Sequence, residues 1–137
     1  MATFFNQATL TYNNTVINSN ITAGELQEVL TVTKDAIGDT YTQNDNITYV
    51  INIRNTGTLP YNSLTITDNL GAYVSGAMTL IPLSYTDGSV TLFVNGILQT
   101  SPAITSVSPL TISGINVPSG GVATIVYVVR TNSFTPL

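Results

Sequence analysis

Few side chains of this 137-residue chain could do chemistry, and the first fact about them is an absence: there is no His and no Cys. General acid–base or covalent catalysis would then fall to carboxylates. Glu25 with Glu28, or Asp35 with Asp39, have the residue types of a glycosidase pair, but solvated strand ends are the preferred reading of both. No Gly-rich phosphate cradle and no Ser-x-x-Lys occurs, so the chain reads as a non-enzyme without a cofactor. Asp35, Asp39, Asn44, Asp45 and Asn46 gather oxygens that could hold Ca²⁺, yet their spacing matches no known loop and a polar turn is preferred. Lys34 is the only lysine. A buried lysine can condense with Asn or Asp beside an assisting carboxylate, whereas a snorkelling or ion-paired Lys34 is the plainer expectation. Tyr61, Tyr73 and Tyr85 could stack on sugars, although core or interface tyrosines read as well, and a glycan partner is not indicated. The sequons at Asn13, Asn20 and Asn46 arise readily in a chain this rich in Asn and Thr.

Composition narrows the partners. Lys34, Arg54 and Arg130 are the whole basic complement against seven acidic residues, a net charge of −4. Three scattered cations cannot neutralise a run of phosphates, which argues against nucleic acid or an anionic membrane as partner. Asn, Thr and Ser carry the surface, a composition of chains that face the outside of a cell and offer few tryptic sites. Without Cys, durability outside the cell must come from packing or assembly. The stretch MATFFNQAT has neither a basic n-region nor a long apolar h-region, so an extracellular or spore-surface placement implies a signal already removed or release by another route, such as lysis of a sporulating mother cell. The most apolar run, Ile125 to Val129, is too short to insert into a bilayer, which takes about 20 residues.

The elements that must hold these residues are strands. From Asn46 to Gly71, Ile47, Tyr49, Ile51 and Ile53 alternate with Thr48, Asn52 and Arg54, with Val50 out of pattern; Asn55-Thr56-Gly57 and Pro60 turn the chain, and Leu64 and Ile66 alternate again. Before this pair a first strand is expected over 25–33 with Leu26, Leu30 and Val32 inward, then a turn at Ile37-Gly38-Asp39-Thr40. After it come strands near 78–85, a hairpin over 89–99 turned by Asn95-Gly96, a strand near 104–115 and a last one over 122–130. In the last, Ala123, Ile125, Tyr127 and Val129 share one face and Val122, Val126 and Val128 the other, the mark of a central strand. No apolar 3.6-residue period supports a helix. Residues 1–20 form an extended arm: Phe4, Ala8, Leu10 and Tyr12 lie on one side and Phe5 on the other, with a turn at Asn13-Asn14 before a short strand containing Val16. The fold class is therefore an all-β, Ig-like antiparallel β-sandwich of about seven to eight strands spanning 21–137, preceded by the β arm.

The run from Thr33 to Gly71, with its lone Lys34, the Tyr49 strand, the Asn55-Thr56-Gly57 turn and the Thr67-Asp68 end, resembles the conserved-repeat surface domain, the domain-of-unknown-function 11 family. Gly71 stands where that family usually has proline. The resemblance implies an Ig-like sandwich found in tandem on bacterial surface proteins. It also implies that a segment of the arm's type closes a repeat, whereas here it leads. A leading donor and a body lacking its closing strands lead us to expect a subunit of a bacterial surface fibre, a head-to-tail homopolymer in which Phe4, Phe5, Ala8, Leu10, Tyr12 and Val16 enter the next copy beside Val122, Val126 and Val128. The alternatives are a monomeric adhesin or carbohydrate-binding module, or a spacer repeat of a cell-wall stalk.

Overall fold

The computed structural model describes residues 2–38 and 40–136. Among them are thirteen strands and no helix: β1 (Ala2–Tyr12), β2 (Thr15–Leu26), β3 (Leu30–Ile37), β4 (Asn46–Asn55), β5 (Tyr61–Asp68), β6 (Tyr73–Ser75), β7 (Met78–Leu80), β8 (Leu83–Tyr85), β9 (Thr91–Val94), β10 (Ile97–Leu98), β11 (Ala103–Val107), β12 (Leu110–Val117) and β13 (Val122–Thr131). Every pairing is antiparallel. One sheet has the order β10-β9-β13-β4-β3, with β8 also paired to β13, and the facing sheet has the order β11-β12-β5. Together they make an Ig-like sandwich.

The alternation of β4 and β13 builds the centre. Their register runs from Val122 opposite Arg54 to Arg130 opposite Asn46, which stacks Ile51 against Ile125 and Ile47 against Val129 on the inner face. On β4, Ile47, Ile51 and Ile53 are buried and Tyr49 half-buried; on β13, Ala123, Ile125, Tyr127 and Val129 are fully buried. From the facing sheet β12 contributes Leu110 and Ile112, then Ile115 and Val117. That switch from even to odd positions is made by a bulge at Gly114, whose φ of +76° suits a residue without Cβ, and it keeps all four side chains inward. Each such buried aliphatic side chain contributes roughly 1.5–3 kcal/mol over the exposed state.

Turn chemistry behaves as the residue types require. Asn95 and Gly96, at φ +50° and +78°, close the β9–β10 hairpin as a two-residue turn with both central residues left-handed, and Asn13 and Asn14, at +46° and +61°, do the same for β1 and β2. Asn55 is buried. Its Nδ2 donates to the carbonyls of Leu59 and Pro118 at 2.8 and 3.2 Å, and its Oδ1 accepts from the Gly57 amide at 2.9 Å, so one side chain ties together the turn that ends β4.

Three details differ from the sequence reading. Strand 25–33 does not exist as one piece: β2 runs to Leu26, residues 27–29 break the ladder, and β3 starts at Leu30. The segment expected near 78–85 divides at Ile81-Pro82 into β7 and β8, since proline has no amide to give a ladder. The segment 104–115 folds back at Ser108-Pro109 as the β11–β12 hairpin. Asp39, expected in a turn, lies outside the described residues.

Candidate assembly interface

Among the described residues β1 and β2 pair with each other and with no other strand. The arm is thus a two-stranded ribbon reaching to Leu26, where an arm of twenty residues with its turn at Asn13-Asn14 and only a short second strand was expected. Its register puts Leu10 opposite Ile17, Phe4 opposite Gly24 and Ala2 opposite Leu26, so Phe4, Ala8, Leu10, Tyr12, Ile17 and Leu26 share one face. The other face carries Phe5, Val16 and Ile21 among Thr and Gln. A bulge at Ser19-Asn20 separates the two halves, with the Ser19 Oγ accepting the Ala8 amide at 2.9 Å. Gly24 makes room for the Phe4 ring, which lies where a Cβ would otherwise stand. Nearly every residue of the ribbon is solvent-exposed, Phe5 to 72% and Phe4 to 53%. An isolated two-stranded ribbon is at best marginal in water, and apolar side chains left on it signal a partner.

Val122, Val126 and Val128 do not offer the expected docking edge. β13 is paired to β4 along one side, and along the other to β9 opposite Val126 and to β8 further on. The amide of Thr86 donates to the Val128 carbonyl and that of Asn95 to the Val122 carbonyl. The three valines lie half-buried on the outer face of their sheet, so a strand inserted beside them would have to displace one already there.

The free edges are elsewhere. Among the described residues β3 pairs only with β4, and β5 only with β12. Between these two edges the sandwich is open in a cleft of about 200 Å³ lined by Leu30, Val32, Ile53, Leu64 and Ile66. Val32 stands opposite the buried Ile53 and shares the inward parity of β3, yet it is 60% exposed. Of the three residues expected inward, Leu30 and Val32 line this opening, Val32 without being buried, and Leu26 instead lies exposed at the end of the ribbon. A second cleft of about 500 Å³ opens between β8 and β11, and the chain's own Asn132 and Phe134 form part of its wall, with Tyr73 Oη donating to the Phe134 carbonyl at 2.6 Å and Asn132 Nδ2 to the Ile81 carbonyl at 3.0 Å.

One end of the β3–β5 cleft is closed by charge. Lys34 Nζ reaches Asp68 Oδ2 at 2.6 Å while lying 4.0 Å over the Tyr49 ring, and the Tyr127 hydroxyl donates to the same carboxylate oxygen. The Leu70 amide donates to Asp68 Oδ1 at 2.8 Å. Burial alone would raise the Asp68 pKa; the bonds from Lys34, Tyr127 and Leu70 outweigh it and hold the carboxyl below its ordinary value. Burial and the adjacent Asp68 push the Tyr127 hydroxyl well above its own, and burial raises Tyr49. Lys34 and Asp68 stand as an ion pair, the plainer of the two expectations for this lysine. The sequence offered an ion-paired or snorkelling Lys34, but nothing in it pointed to Asp68 as the partner.

The other sequence candidates are spread out. Asp45 Oδ2 accepts the Thr42 amide at 2.8 Å and the Asn44 carbonyl accepts from Arg130, so the loop that could have held Ca²⁺ binds its own chain, and Asp39 lies outside the described residues. Among the described residues no three acidic or metal-ligating side chains gather. Tyr85 Oη accepts the Val90 amide at 3.3 Å, and Tyr61 remains partly exposed at the start of β5. Glu25 stands opposite Thr3 on the ribbon and Glu28 in the connection to β3.

No family model matches the chain, and no curated protein matches it. Among solved structures it is similar to the pilus backbone protein RrgB of Streptococcus pneumoniae, at 12% identity and a TM-score of 0.57, over 76% of this chain and 46% of that one. The chain thus spans less than half the length of that structure, and the likeness is one of fold.

Proposed function

We propose that this chain is a structural subunit of a bacterial extracellular or spore-surface fibre, not an enzyme, and that copies join head to tail by lodging the β1–β2 ribbon in the next subunit. The observation that carries this reading is the ribbon itself: eight large apolar side chains on paired strands that no part of the body covers. A contact between one patch on a subunit and a different patch on its neighbour does not close on itself, and repetition gives a filament. The fold shared with a pilus backbone, and the resemblance of residues 33–71 to a tandem surface repeat, both support a surface role.

Negative-stain microscopy and light scattering test it. The intact chain is expected to form filaments, and Phe4→Asn with Leu10→Asn, both at exposed ribbon positions, is expected to leave folded monomers. Filaments that persist in this variant, or an intact chain that stays monomeric at high concentration, would reject the proposal in favour of a monomeric binding module.

A further inference from the structure

We propose that the acceptor for the ribbon is the cleft between the free edges of β3 and β5 of a second copy, with the Phe4, Leu10 and Ile17 face turned into it. This rests on the reading of the ribbon as the joining element and adds where it goes.

Three observations select this cleft. Both its walls are unpaired edges of eight-residue strands, each offering the row of free amides and carbonyls that a docking strand needs. Its floor consists of side chains facing the core, and Val32 is left exposed although its parity is inward. The Lys34–Asp68 pair stops one end, which would fix how far a strand can slide. The larger cleft between β8 and β11 differs in that the chain's own Asn132 and Phe134 form part of its wall, tied to Ile81 and Tyr73.

The occupant follows from the ribbon. Its strands of 11 and 12 residues exceed the eight of each wall, and their outer edges are as free as those of β3 and β5. The face turned inward carries Phe4, Leu10, Tyr12, Ile17 and Leu26, each 46 to 60% exposed and so open to burial in a contact. The chain's own ribbon is held away by the connection 27–29: the Val29 carbonyl accepts from the Thr56 amide at 2.8 Å, which fixes the start of β3 against the turn after β4. The strand that fills the cleft therefore comes from a neighbour.

A mixing experiment tests this with full-length chains. Val32→Lys blocks the cleft at an exposed position and leaves the ribbon intact; Phe4→Asn with Leu10→Asn spoils the ribbon and leaves the cleft intact. Each variant alone is expected to be monomeric by size-exclusion chromatography with light scattering, with a melting profile like that of the parent. Mixed, they are expected to form a one-to-one heterodimer and nothing longer, since one ribbon and one cleft remain. Filaments from Val32→Lys alone, while the ribbon variant stays monomeric, would overturn the cleft assignment and leave the ribbon reading standing. Filaments from both would overturn both. Monomers that never pair on mixing would also overturn the assignment, as would a compact intact chain that is monomeric at every concentration with Val32 protected from solvent.

Discussion

At the residue scale the Asp68 carboxylate concentrates the most consequence. It is nearly buried and receives Lys34, Tyr127 and the Leu70 amide, so three donors lose their acceptor if it goes. Asp68→Ala is expected to cost about 1–3 kcal/mol, measured by urea unfolding at neutral pH. Lys34→Met should cost less, below about 1 kcal/mol, because the lysine is partly exposed and its pair is screened. The pH dependence has a definite sign. With the native pKa lowered, the contribution of Asp68 is fully present above the unfolded value near ~3.9 and disappears as pH falls through the lower native value. The parent chain should therefore lose stability on acidification below about pH 4, and the Asp68→Asn chain should lose less over the same interval. Equal losses in the two chains would show that other carboxylates carry the acid sensitivity. Asn55 is the neutral counterpart: Asn55→Ala strands the Leu59 and Pro118 carbonyls and the Gly57 amide, for a loss of about 1–3 kcal/mol.

At the element scale the ribbon and the body answer to different substitutions. Asn13→Val with Asn14→Val forces two β-branched residues into left-handed backbone and should unmake the ribbon turn. Gly24→Val would push the Phe4 ring off its seat. Both are expected to abolish filaments while the melting of the body stays within about 0.5 kcal/mol of the parent, because no buried core residue lies on β1 or β2. What could be read from the sequence follows the same division. The faces of β4 and β13, the Asn95-Gly96 hairpin and the apolar side of β1 are set by local alternation and turn chemistry, and they were legible. Which strands end at an edge is decided by partners far along the chain. For that reason Val32 was legible as inward but not as uncovered, and the valines of β13, read as part of a central strand, were still offered as a groove although both edges of that strand are occupied. Asp68 lies 34 residues from Lys34, and no spacing rule links them.

At the scale of the whole molecule the core and the joining surfaces are separate. The buried cluster is drawn from β4, β9, β12 and β13 and the loops around them, whereas β1, β2 and the rims of β3 and β5 stay uncovered. Amide hydrogen exchange should report this directly. In monomers the ribbon amides are expected to exchange far faster than those of β13, and in filaments ribbon, β3 and β5 should slow together. Slowing of the ribbon without β3 and β5 would move the contact to another face. Trypsin adds an independent view, since Lys34, Arg54 and Arg130 are the only cleavage sites and Lys34 sits at the mouth of the cleft. Cleavage there should be suppressed on polymerisation.

The three-residue connection between ribbon and body, clamped where Val29 meets Thr56, also decides how tension would pass through such a chain of subunits. A pull on the ribbon enters the body at the first residue of β3 and runs lengthwise along the β3–β4 ladder, so its rungs resist together in shear and are not peeled one after another. The residues between ribbon and body that carry no strand pairing are 27–29, so a bend between the two would be expected there.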